Sequence, residues 1–162
     1  MTDHSPVLPE IASYLERISN RRDLIWKELE GLDAEALNWK PLKANTNSLI
    51  VLGTHSIGSE HGWISEVIGG QPRTRIRSRE FEAMADNLDR LRVEFEATGR
   101  NTERTLSGLT ESDLNDVRER EGFGRVTVRW IIMHVIEHLS EHLGQMQLTR
   151  QLWENRQPGS VE

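Results

Sequence analysis

Apolar residues recur at helical spacing along four stretches of the chain, with polar residues between them. In the first, Ile11, Leu15, Ile18, Ile25 and Leu29 mark one side of a helix starting near Pro9, a residue tolerated in a first helical turn. Gly31 is its natural stop. In the second, Leu49, Ile50, Leu52, Ile57, Ile64, Val67 and Ile68 follow the caps Asn47 and Ser48 and run to Gly69-Gly70. The third, roughly Glu82 to Leu109, carries Leu88, Leu91, Phe95, Thr102 and Leu106, and Gly99 marks a bend or a close approach. The fourth runs from Val128 to Trp153 behind the cap Thr127, with Val128, Ile131, Ile132, Val135, Leu139, Leu143 and Met146 at helical spacing. No stretch alternates convincingly with the period of a half-buried strand, and nothing repeats. The pattern predicts an all-α, four-helix bundle formed as one domain over residues 1–162.

The connections are long. Leu32 to Asn47 holds a short helical turn at Asp33–Leu37, then Trp39-Lys40-Pro41, extended before the proline and with Trp39 covering the core. Gln71 to Phe81 is a basic loop with Arg73, Arg75, Arg77 and Arg79 at alternate positions. It reads first as a solvated loop and second as an anion contact, because arginine suits oxyanion recognition. Thr110 to Asp113 is a cap into a brief turn, Arg118 to Arg125 is a charged loop, and Asn155 to Glu162 is a polar tail.

Composition narrows the function. With 20 Lys+Arg against 26 Asp+Glu, the net charge of −6 argues against nucleic acid as the main partner. The absence of cysteine excludes disulfides, a thiolate metal site and a cysteine nucleophile, and fits the cytoplasm. No apolar run approaches the ~20 residues of a membrane span, and Met1 to Pro6 does not read as a signal peptide. His4, in the N-terminal tail, is assigned no role.

The chemistry lies in the other histidines. His134, His138 and His142 stand four apart on the last helix and so lie above one another on one side, beside the apolar stripe. Two imidazoles one turn apart can share a divalent metal. On the second helix, His55 and His61 are about 120° apart and cannot serve one compact site together. His55 shares the side of Leu52 and is the better third ligand, whereas His61 falls toward a polar, exposed sector. Glu60 reads either as a carboxylate behind a ligand or as a surface charge. Glu137 and Glu141 turn away from the histidines as surface carboxylates, and Gly144 permits close helix packing. Gln145, one turn beyond His142, is placed to orient a ligand. His134-Val135-Ile136-Glu137-His138 also matches an H-x-x-E-H zinc-peptidase pattern, with His134 and His138 as ligands and Glu137 as base. The Glu-x-x-His pairing of di-iron bundles is absent, since Ser140 and Gly144 stand three after Glu137 and Glu141.

Asn38-Trp39-Lys40-Pro41, then Asn47-Ser48-Leu49 leading to His55, then Glu60-His61-Gly62-Trp63, and last His138-x-x-x-His142-Leu143-Gly144-Gln145 occur in this order along nearly the whole chain. In these residues the sequence resembles the DinB-like (YfiT-like) superfamily of metal-dependent bacterial proteins. The resemblance implies a four-helix bundle with one divalent ion, zinc or nickel, held by His55, His138 and His142. His134, Gln145 and Glu60 then become candidates to support those ligands or line the pocket. Relatives often carry a further His or Arg where this chain has Glu141 and Leu143. Some relatives are thiol transferases using bacillithiol or mycothiol, so the resemblance implies a metal-dependent thiol S-transferase or hydrolase acting on a small molecule. A non-catalytic metal-binding dimerisation or regulatory module is the alternative. Trp26, Trp39, Trp63, Trp130 and Trp153 exceed what one small core needs and fit a homodimer interface.

Overall fold

A computed structural model describes residues 6–156; His4 and the end of the polar tail lie outside the described residues. The long helices are α1 (Pro9–Leu29), α3 (Leu49–Glu60, continuing as a π-helical segment His61–Ile68), α5 (Asp89–Ser107) and α7 (Val128–Glu154). Between them lie the short helices α2 (Ala34–Asn38), α4 (Arg77–Glu80) and α6 (Glu111–Asn115) and a hairpin, β1 (Val117–Arg120) and β2 (Gly124–Thr127). The four long helices form the expected bundle, with α1 and α3 packed along α7 and α5 closing against α1 and the π-helical segment.

Each boundary has a local cause. The Ser48 side chain accepts from Val51 N–H at the head of α3, and Thr127 does the same for Trp130 N–H at the head of α7. Asp33 caps α2, and Thr110 with Asp113 forms a reciprocal capping box on α6. Gly31 turns the chain out of α1 with φ +79°, which favours glycine. Ile11, Ile18, Ile25, Leu29, Leu49, Ile64, Leu106, Val128, Ile131, Ile132 and Met146 are fully buried between the helices. That placement removes apolar surface from water and supplies the main drive for the bundle. Gly99 is a close approach, since a Cβ there would sit 3.1 Å from the Arg22 guanidinium.

Three expectations change. The third helix starts at Asp89, not Glu82. The Asn38 side chain donates to Ala85 C=O (2.7 Å) and accepts from Ala85 N–H (3.0 Å), which holds the preceding segment out of helix. Residues 117–127 form an antiparallel hairpin, Val117 opposite Thr127 and Arg120 opposite Gly124, where the sequence reads as a loop. Gly122 and Gly124, at φ +82° and +72°, make its turn. Third, Gly144 serves no helix packing, because a Cβ there would meet nothing within 4 Å.

Candidate metal centre

His55 projects from α3, and His138 and His142 project from successive turns of α7. One ring nitrogen from each lies within 4.8 Å of the others. Nε2 of His138 is 3.2 Å from Nε2 of His55 and 3.2 Å from Nε2 of His142. His55 is buried and the other two are half-buried, so the cluster sits at the margin of the core.

The outward nitrogens fix the ring protons. Nδ1 of His55 donates to Oε2 of Glu80 at 2.7 Å, and Nδ1 of His142 donates to Oε1 of Gln145 at 3.0 Å. Both Nε2 atoms therefore present lone pairs toward His138. A neutral His138 can donate one Nε2 proton to one of them at most, which leaves a lone pair facing a nitrogen with nothing to give. Its own Nδ1 is buried without a hydrogen-bond partner. A cation among the three nitrogens resolves the conflict. Two nitrogens on one tetrahedral ion, at metal–nitrogen distances of ~2.0–2.1 Å, stand roughly 3.3 Å apart, close to the separations here. The donor set fits a borderline divalent ion.

Electrostatics favour the ligand form of the rings. Burial, followed by the neighbouring His142 and His55, pushes the pKa of His138 down to about 3. Burial and His55 lower His142, and burial lowers His134. These imidazoles are neutral at pH 7, as a metal ligand must be.

The support for His55 comes from the basic loop and its short helix. Arg75 grips Glu80 twice, Nε to Oε1 at 2.6 Å and Nη2 to Oε2 at 2.9 Å. Burial opposes the charge on Glu80, but hydrogen bonds from Arg75 and His55 outweigh it and hold its carboxyl below the usual range. The loop is tied down by Glu66, whose Oε1 accepts from the N–H groups of Thr74 (2.6 Å) and Arg75 (2.9 Å). Two glycines one turn apart on the α3 segment make room. A Cβ on Gly58 would collide with the Glu80 carboxylate, and one on Gly62 would lie 2.7 Å from Cδ of Arg75. Phe81 packs against His55 with ring centroids 4.8 Å apart.

The other sequence candidates fall into distinct places. Gln145 holds the His142 ring. His134 lies outside the converging cluster, in an aromatic wall. It stacks on Trp130 (4.9 Å, 8° between planes) and packs against Trp63 (5.2 Å) and Phe123 (5.5 Å). The structure thus brings His138 together with His55 and His142, and Glu137, the base of the peptidase pattern, is exposed. Glu60 is fully buried away from His55, bound by Arg22 Nη1 (2.5 Å) and Thr102 Oγ1 (2.6 Å) in the packing of α1, α3 and α5. His61 is half-buried, not free in solvent, with Nε2 3.2 Å from Thr74 Oγ1. The sequence reading did not single out Glu80 and left Arg75 undistinguished among four loop arginines read first as solvated. Their signal was a lone acid at the end of an arginine-rich loop, facing a helix with glycines four apart.

Comparison with known proteins agrees with this fold. A family profile described as mycothiol-S-transferase matches residues 12–155. No curated protein matches the chain. A conserved protein of Enterococcus faecalis superposes with a TM-score of 0.72 at 16% identity, covering 90% of this chain and 97% of that one. A DinB-like protein of Bacillus cereus gives 0.70 at 18% identity, covering 93% and 97%. A DinB-like protein of Bacillus subtilis gives 0.61 at 18% identity, covering 91% and 93%. Among the described residues, no helix is long and apolar enough to cross a membrane.

Proposed function

This chain belongs to the mycothiol-S-transferase family of the DinB/YfiT-like superfamily, and on that premise we propose that it is a metal-dependent enzyme joining a low-molecular-weight thiol to a small electrophile. His55, His138 and His142 hold one divalent ion, zinc or nickel by the preference of a three-imidazole donor set. The observation that carries the reading is the convergence of the Nε2 lone pairs of His55 and His142 on Nε2 of His138, with Glu80 and Gln145 fixing the outer protons.

When bound, the ion would supply Lewis acidity at a position left open by three ligands, lowering the pKa of a thiol or water presented there. The chain's own residues do the rest. Glu80 and Gln145 orient His55 and His142 through their Nδ1–H groups and keep those rings from turning. Phe81 shields one face of His55. His134, kept neutral by burial, is available to take up a proton beside the centre. Trp130 and Phe123, both partly exposed, give the small molecule an apolar wall.

The test is metal content by elemental mass spectrometry on untagged wild type, His55→Ala, His142→Ala and His134→Ala. One equivalent in wild type and His134→Ala, lost in the other two, is expected. Consumption of mycothiol or bacillithiol with model electrophiles should then follow the metal and fall in His134→Ala. A wild type that takes up no divalent metal after supplementation defeats the proposal. Loss of metal in His134→Ala with retention in His142→Ala would restore the peptidase-like pairing.

A further inference from the structure

Arg120 lies beside the centre and has no part in holding the histidines. It reaches from β1 over the face of Trp63, with the guanidinium carbon 3.8 Å from the ring centroid. Among the described residues it has no carboxylate partner within 4 Å, and its Nη1 is buried without a hydrogen-bond acceptor. Arg75 lies next to it. A Cβ on Gly62 would sit 3.4 Å from Nη1 of Arg75 and 3.5 Å from Nη2 of Arg120, so both guanidinium groups flank one point of the helix. Arg75 is neutralised by Glu80 and also reaches to 3.5 Å from Nδ1 of His55. Arg120 therefore has no direct ion-pair partner beside the histidine cluster, and the carboxylates of Glu66 and Glu80 act on it only from beyond 4 Å. Arg118, on the same side of the strand, is balanced by Asp116 at 3.5 Å.

We propose that Arg120 is the anion-recognition residue of this pocket, taking a carboxylate of the small molecule while the flat body of that molecule lies along Trp130 and Phe123. The proposal rests on the metal-centre reading for its location. The wall is in place: Trp63 packs against Phe123 at 4.9 Å and Trp130 at 6.0 Å, and the latter two are 50% and 41% exposed. A planar guanidinium fork matches a planar carboxylate with two parallel hydrogen bonds. Arg75 beside it is already committed to Glu80, so one guanidinium fork is offered to one carboxylate. Burial, followed by the charge of Arg75, lowers the pKa of Arg120 against the pull of Glu66 and Glu80, so a bound anion would further favour the cation. A donor covered without an acceptor carries a desolvation cost that a carboxylate drawn in beside it removes. The wall also lies next to the cluster, since His134 is 5.9 Å from His138 by ring centroid and 5.2 Å from Trp63. A molecule anchored on Arg120 along that wall has its far end directed to the three histidines.

The experiment is isothermal titration of the purified full chain with benzoate and with benzamide, its neutral isostere. Variants are Arg120→Gln, Arg120→Lys and the control Arg118→Gln, with helicity checked by circular dichroism. Saturable benzoate binding, about tenfold or more tighter than benzamide, is expected in wild type and Arg118→Gln. It should fall by about tenfold or more in Arg120→Gln, with Arg120→Lys between because it keeps the charge and loses the fork. If Arg120→Gln does not fold, Arg120→Lys decides. Equal benzoate affinity in a folded Arg120 variant, benzamide binding as tightly as benzoate, or no saturable benzoate binding to wild type overturns the proposal. Metal content of the same samples separates the two readings. A metal-free wild type that still takes benzoate through Arg120 supports this inference and defeats the metal centre, whereas a metal-loaded wild type indifferent to Arg120 does the reverse.

Discussion

Oε2 of Glu80 lies 2.7 Å from Nδ1 of His55, twenty-five residues away in the chain. The carboxylate is itself clamped by Arg75, so a charge pair in the basic loop sets the ring of a core histidine. Glu80→Ala should weaken metal binding by roughly 10–100-fold, the usual cost of removing a partner that orients a ligating histidine. Glu80→Gln retains an acceptor and should lose less. Competition against a chelating dye measures both, and unchanged affinity in Glu80→Ala would show that His55 needs no such support.

The neutral histidines give the metal-free fold a defined acid sensitivity. His138 has an ordinary pKa of 6.5 and a folded value of about 3. Below the ordinary value the unfolded chain takes up a proton that the folded chain refuses, so stability falls as pH drops through that window. Urea denaturation of metal-free wild type and His138→Gln across the window should show the variant losing less stability. Parallel losses would mean that His138 is free to protonate in the folded state.

Arg22 and Glu60 form a buried pair whose side chains are 14% and 0% exposed. Thr102 adds a hydrogen bond to the same carboxylate oxygen, and Oε2 is buried without a partner. Burial raises the pKa of Glu60 against the pull of Arg22. Arg22→Met should cost about 3 kcal/mol or more in urea denaturation, because it strands a buried carboxylate. Glu60→Gln should cost less and should leave metal content intact, as expected for a pair that joins helices and not the metal centre.

Gly58→Ala and Gly62→Ala test the groove that admits Glu80 and Arg75. Each methyl group meets a side chain held by the other's ion pair, so neither can swing away freely. A loss of about 1–3 kcal/mol is expected for each, together with weaker metal binding as Glu80 is displaced from His55. Full metal affinity in both variants would show that the loop accommodates the added carbon without moving the pair.

The bundle was legible because its four apolar stripes repeat at helical spacing and its caps (Ser48, Thr127, Thr110) are local signals. The spacing of His138 and His142 on α7 was legible for the same reason. Glu80 and Arg75 were not. Their roles depend on the loop folding back onto α3, and alternate arginines carry no information about which one turns inward. Glu60 defied the expectation of an even choice between surface and site, since only the packing of α1 and α5 supplies Arg22 and Thr102. The hairpin escaped because Val117–Arg120 and Gly124–Thr127 are short and mostly charged, and pairing rather than periodicity makes them strands. The start of α5 moved because a side chain from α2 competes for the backbone of Ala85.

The aromatic wall has an optical consequence. Trp63 and Trp130 both touch His134, and His134 neighbours His138, whereas Trp26 belongs to a contact with Phe95 and Trp39 to one with Trp153. The chain thus carries two indole fluorophores beside its candidate centre and three in separate packing clusters. Quenching by a paramagnetic ion would fall chiefly on the first pair, so the emission of the unlabelled protein can report arrival at the pocket, with the other three tryptophans as an internal reference.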